Sequence, residues 1–151
     1  MLNPSQKLNI DIFERVRALH MPLGQYVVVG GVMEALGIRK NKDVDVVCTD
    51  LLFQKLKKEG KYKLCDCADC ENIRNKDDKE ILKGEGVDII SAYSYRDLYY
   101  CSTEKLIETA QIIEGLPFVS LVELKKWKLA CAREKDLNDV TLIDEYLKSH
   151  A

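Results

Sequence analysis

No apolar run in this chain approaches the roughly 18 residues that a membrane-spanning helix requires, and its first residues lack the apolar stretch of a secretory signal. The expectation is therefore an intracellular, cytoplasmic protein with no membrane partner. An excess of basic charge is also missing. Lys and Arg number 23 against 25 Asp and Glu, a formal charge of −2, so bulk electrostatics supplies no pull towards nucleic acid or an anionic bilayer. No internal repeat, low-complexity tract or linker divides the chain. The glycine fingerprints of the dinucleotide fold (GxGxxG) and of the P-loop (glycine-lysine followed by serine or threonine) are both absent. Six cysteines are present, Cys48, Cys65, Cys67, Cys70, Cys101 and Cys131, but without a secretory signal they read as reduced thiols rather than a disulfide framework. Cys65, Cys67 and Cys70 form CDCADC, which invites a zinc reading. A structural zinc site takes four ligands, usually in two paired clusters, and no second pair exists here. Small apolar residues on a strand and the turn after it are the simpler account. The neighbouring Asp66, Asp69 and Glu71 also disfavour thiolates.

What is present is ordinary for a globular chain. Apolar residues make up 46% and charged residues 32% of 151 residues, enough to bury a core within one domain spanning 1–151. Leu8, Ile12, Val16 and Leu19 recur at helical spacing behind Pro4 and Ser5, so a helix is expected to about His20, a capping or surface position. Tyr26 to Val29 is a short β-branched run, hence a buried strand. Gly30-Gly31 then permits close approaches, Val32 to Leu36 forms a short helix, and Ile38 to Lys42 a basic loop. Val44, Val46 and Val47 make a second strand, and Leu51 to Glu59 a helix stopped at Gly60. Strands follow at Tyr62 to Cys67, Lys79 to Lys83 and Gly86 to Ile90, with a polar loop over 69–78. Tyr93 to Tyr100 is aromatic and ambiguous. Thr103 to Glu114 reads as a helix with Leu106, Ile107, Ala110 and Ile113 inward, Leu116 to Val119 as extended. Ser120 and Glu123 form a capping box opening a helix to about Arg133. Asp136 starts a last helix with Leu137, Val140 and Leu147 on its apolar side. The resulting class is α+β: a mixed sheet flanked by helices over about 22–100, then a helical part over about 103–149.

Three acids sit within aliphatic β runs: Asp43, Asp45 and Asp88. Residues i and i+2 of a strand point to one face, so Asp43 and Asp45 project together. Clustered carboxylates persist ionised only where a cation or hydrogen bonds offset their charge. All-oxygen ligands favour a hard ion such as magnesium, with manganese as the alternative, and such ions recruit phosphates. Beside them, the Gly30-Gly31 turn feeding a helix offers backbone N–H groups to an anion.

These residues resemble the DNA polymerase β-like nucleotidyltransferase superfamily. Its signature is a hydrophobic strand, Gly-Gly or Gly-Ser, a spacer, Asp-hydrophobic-Asp or Glu, and a third acid on a later strand. Here Val29-Gly30-Gly31 is followed after eleven residues by Asp43-Val44-Asp45-Val46, and Val87-Asp88-Ile89 matches the third acid. The toxin–antitoxin and abortive-infection members often carry Arg-x-Thr-x-Asp-hydrophobic-Asp. This chain has Arg39-Lys40-Asn41-Lys42-Asp43-Val44-Asp45, with Asn41 in the threonine's place, so the subfamily match is the weaker one. The tail is similar as well: Leu116 to Ser120, then Leu124, Lys128, Arg133, Lys135-Asp136 and Asp139.

The resemblance implies a nucleotidyltransferase fold in which Asp43, Asp45 and Asp88 hold one or two Mg²⁺ ions. Gly30 and Gly31 would contact a nucleotide triphosphate such as ATP, and Asp88 would activate the acceptor. Lys128, Arg133 and Lys135 would meet phosphates of nucleotide or acceptor, or else form a solvated helix face. Arg39 and Lys42 would contact substrate or balance the acidic strand. Trp127 is read as core rather than as a base-stacking platform. The implied activity moves an NMP from an NTP to a hydroxyl of RNA (tRNA among them), protein or a small molecule, releasing pyrophosphate, with a homodimer or partner subunit completing the site. A catalytically idle, antitoxin-like binding module is the alternative, and intact acids argue against it.

Overall fold

A computed structural model of the chain describes residues 11–66 and 79–151, so Leu8, Cys67, Cys70 and the loop expected over 69–78 lie outside the described residues. Helix α1 (Ile12–Arg17) starts at Asp11, whose carboxylate accepts from the Glu14 amide at 2.9 Å, and buries Ile12 and Val16. Strand β1 (Tyr26–Gly30) leads through Gly31 into the single turn α2 (Val32–Ala35), and β2 (Val44–Cys48) returns antiparallel to β1. Helix α3 (Asp50–Glu59) is capped by Thr49 and ends at Gly60, whose φ of 75° is the left-handed stop its glycine allows. The short β3 (Lys63–Leu64) precedes the hairpin β4 (Ile81–Gly84) and β5 (Val87–Ile90).

The seven-stranded mixed sheet has the order β3-β4-β5-β2-β1-β9-β8, where β8 is Gln111–Ile113 and β9 is Leu116–Phe118. Its centre is where β2 runs parallel to β5 and antiparallel to β1. Val27, Val28, Val46, Val47 and Ile89 are essentially fully buried there, as strands covered on both faces require. A separate two-stranded hairpin, β6 (Tyr93–Tyr95) and β7 (Tyr99–Cys101), resolves the aromatic ambiguity. Helices α4 (Thr103–Thr109), α5 (Leu121–Cys131) and α6 (Glu134–Ser149) complete the described elements. The class is α+β, and no described helix is long and apolar enough to cross a membrane.

Four expectations need correction. The helix expected over 103–114 stops at Thr109, because Ala110 turns extended and 111–113 pair with β9. Glu114 (φ 51°) and Gly115 (φ 77°) form the left-handed turn of that hairpin, so Gly115 turns a strand rather than ending a helix. The strand expected over 62–67 is only Lys63–Leu64. The capping box at α5 is half made: Ser120 accepts from the Glu123 amide, while the Glu123 carboxylate accepts from the Tyr99 hydroxyl at 2.6 Å. Finally, α6 begins at Glu134, and Leu137 and Leu147 face outward, 46% and 40% exposed. Its inward face is Asp136, Asp139 and Ile143. Two buried acids on a helix are a pattern that hydrophobic periodicity reads backwards.

Candidate active site

The sheet register assembles the site. Gly30 on β1 pairs with Asp45 on β2, Asp45 pairs with Asp88 on β5, and Asp88 pairs with Lys83 on β4. Directly paired residues share a face, so Lys83, Asp88, Asp45 and Gly30 form one row across four strands. A Cβ placed on Gly30 would lie inside the Asp45 carboxylate and 2.8 Å from its Cβ. Glycine at 30 is what lets Asp45 lie across β1. Gly30→Ala is therefore expected to displace Asp45 and to cost about 1–3 kcal/mol in stability, read by chemical denaturation. Unchanged stability would show that the carboxylate moves aside freely.

The other predicted residues distribute around this row. Asp43 lies just before β2 and is exposed, but it still raises the pKa of Asp45. Gly31 is buried with φ 145°, a torsion that strongly favours glycine, and an added Cβ would meet Ile12 Cδ1 at 2.7 Å. The helix that Gly31 opens has four residues, too short for a substantial dipole at its end. The loop behind it is clamped: the Glu34 carboxylate accepts from the Ile12 and Asn41 amides at 2.7 and 2.9 Å, and the Asn41 side chain accepts from the Glu34 amide at 3.1 Å. Arg15 donates to the Asn41 and Lys42 carbonyls at 3.0 and 2.9 Å. Asn41 thus ties the short helix after the Gly-Gly turn to the loop that enters the strand bearing the acids.

The Gly30–Asp45 end of the row borders a cleft of about 210 Å³. Gly30 and Asp45 line one side of it, and Arg39, Lys128, Arg133 and Lys135 also reach it. Asp43, Asp88 and Gly31 are not among its lining residues. The cations are placed by two acids of α6. Asp139 accepts from Arg39 Nε and Nη2 at 2.8 and 2.7 Å and from Lys128 Nζ at 2.8 Å. Asp136 accepts from Arg133 Nε at 2.6 Å. Arg133 sits at the elbow between α5 and α6, where Ala132 adopts a left-handed φ of 53°. Lys135 is exposed. Trp127 is half-buried, stacks on Tyr93 at 5.7 Å and lines the cleft, so it serves both core and site.

The sequence singled out neither Lys79 nor Tyr93 for the site, and Asp136 and Asp139 appeared there only as part of the tail pattern. Lys79 is buried, and its Nζ donates to the Ser94 carbonyl at 2.8 Å. Counting Lys79, the cleft presents five cations against the carboxylates of Asp45, Asp136 and Asp139. A chain that is acidic overall thus concentrates positive charge in one concavity.

Asp45 is the perturbed group. Burial, then Asp88, then Asp43 push its pKa up to about 6, while Lys83 and Lys128 oppose the rise. Asp88 is paired to Lys83 at 3.3 Å. Asp139 is the opposite case: burial alone would raise its pKa, but Arg39 and Lys128 hold it below the usual value.

Among the described residues no three or more His, Cys, Asp or Glu side chains form a ready-made metal cage. Magnesium asks for less, since it retains waters and takes one or two carboxylates together with substrate phosphates. An acid raised by burial and by two neighbouring acids, and only partly relieved by Lys83 and Lys128, is the donor chemistry a hard cation relieves, so the residues present fit the ion. Of the cysteines, Cys48, Cys101 and Cys131 are free thiols, the first two buried, and burial raises Cys48 and Cys131 to about 12 and about 11. No protein-family model matches the chain, and no curated protein matches it either.

Proposed function

We propose that this chain has a polymerase β-like nucleotidyltransferase fold and transfers a nucleoside monophosphate from an NTP to a hydroxyl acceptor, releasing pyrophosphate. The observation that carries the reading is the row Gly30–Asp45–Asp88, whose Gly30 and Asp45 line a cation-rich cleft. Asp45, Asp88 and Asp43 would hold Mg²⁺, which when bound neutralises phosphate charge and polarises the phosphorus. Asp88 takes the proton of the acceptor hydroxyl, whose oxygen bonds to the α-phosphorus as the bond to pyrophosphate breaks. Lys128, Arg133 and Lys135 bind the triphosphate and stabilise charge as it shifts to the leaving group. Arg39 is engaged by Asp139 and positions Lys128 by sharing that carboxylate.

The Lys83–Asp88 ion pair favours one second reading, a module that binds nucleotide without transferring it, because the Asp88 carboxylate is already engaged by a cation. One experiment separates the two. The protein is incubated with each α-labelled NTP, Mg²⁺ and a cell extract, beside Asp88→Asn. Transfer of label, lost in the variant, supports the enzyme. Nucleotide binding without transfer supports the module. Neither binding nor transfer sinks both.

A further inference from the structure

Among the described residues, two buried side-chain oxygens have no hydrogen-bond partner: Tyr93 Oη and Ser94 Oγ. Buried donors are almost always paired, because an unmade hydrogen bond in a dry site leaves a desolvated dipole uncompensated. Tyr93 is the informative one, since it lines the cleft and Ser94 does not. It is only 4% exposed and its ring is held on two sides, edge-on by Tyr99 at 5.5 Å and stacked on Trp127 at 5.7 Å. Tyr99 in the same hairpin shows the ordinary outcome, with its hydroxyl donating to Glu123 at 2.6 Å. The Tyr93 hydroxyl has no such acceptor, although Cys131, Asp45, Glu123 and Cys101 all act on it electrostatically.

The remaining polar lining gives the missing acceptor its character. Lys128, Arg133, Lys135 and Arg39 are donors, and Asp136 and Asp139 are committed to them. A fixed, neutral donor among cations, beside an acid, suits a group that only accepts hydrogen bonds and carries negative charge. We propose that Tyr93 is a substrate-contacting residue whose hydroxyl donates a hydrogen bond to a phosphate oxygen of the triphosphate bound in the cleft. The inference rests on the nucleotidyl-transfer reading and deepens it.

The contact has a signature that a packing role lacks. Without ligand the hydroxyl contributes nothing, so Tyr93→Phe leaves the thermal midpoint unchanged or raises it. With ligand, one hydrogen bond to a charged group is lost, on the order of a tenfold or greater loss of affinity. Calorimetric titration of wild type and Tyr93→Phe with Mg·ATP and with Mg·tripolyphosphate, alongside thermal unfolding, tests this. The expected result is weaker binding of both probes by the variant, at an unreduced midpoint. Equal affinities in the two proteins would overturn the proposal while leaving the nucleotidyltransferase reading standing. Loss for ATP alone would overturn it by moving the contact to the nucleoside. A lowered midpoint would overturn it by making the hydroxyl structural, held by a buried water. A wild type that binds neither probe defeats the nucleotidyl-transfer reading itself, and the proposal with it.

Discussion

Asp45→Asn is expected to make the metal-free protein more stable at pH 8 and unable to respond to Mg²⁺. The folded-state pKa of Asp45 is raised from 3.8 to about 6, chiefly by burial and then by Asp88 and Asp43. Between those values the folded protein binds more protons than the unfolded chain, so stability falls as pH rises through the window. At pH 8 the ionised carboxylate costs about 3 kcal/mol, which for a chain of this size corresponds to roughly 6–12 °C in midpoint. Asparagine removes that charge at nearly the same volume. Thermal unfolding in chelator should therefore place the variant above wild type at pH 8, the gap narrowing towards pH 5. Added Mg²⁺ with nucleotide should raise the wild-type midpoint and leave the variant's unmoved. A variant less stable than wild type at pH 8 would mean that Asp45 is already satisfied within the fold.

Asp139→Ala should act in the opposite sense, and at every pH where carboxylates are ionised. Asp139 is the shared anion of Arg39 and Lys128, and Lys128 and Asp139 both have side chains only 10% exposed. Removing it leaves Lys128 buried without its closest partner, since its other carboxylate, Asp136, is 3.9 Å away. Breaking such a pair costs about 3 kcal/mol or more, hence a midpoint lower by roughly 6–12 °C. The pKa of Asp139 is lowered in the fold, so its contribution is present above the unfolded carboxylate value and fades only as pH falls through the folded one. Between pH 5 and 8 the loss should stay flat, in contrast to the sloping effect at Asp45. Inorganic tripolyphosphate should recover more of the variant's midpoint than of the wild type's, because the cleft would then lack an internal anion. Equal recovery in both would show that Arg39 and Lys128 do not face the ligand space.

The parts of this site that were legible in the sequence are those fixed by local pattern. Asp45 and Asp88 stand out because an acid within Val and Ile runs contradicts the pattern around it, and Gly30 because a strand that ends in Gly-Gly signals close approach. What stayed hidden was long-range. Arg39 and Asp139 meet across 100 positions, and no periodicity announces such a pair. Tyr93 lay in a segment whose aromatics suit strand or helix alike, and its unpaired hydroxyl exists only because the hairpin and α5 bury it. The α6 acids were readable as polar residues but not as an inward face, since their cationic partners come from α5, from the elbow before α6 and from the loop before β2.

The sequence by itself determined the strands of the sheet centre, the helix stop at Gly60, and the close approach permitted at Gly30-Gly31. Each follows from torsional preference or burial within a few residues. Only the tertiary structure decided which acids stand side by side. Strand register sets that, and register depends on how β2, β5 and β1 bury their aliphatic faces together. It also decided that 111–113 form a strand, because a neighbouring β9 offers hydrogen bonds that outweigh helix propensity. The positive cleft likewise arises from packing: its charges come from segments far apart in the chain, and only folding puts them on one concavity.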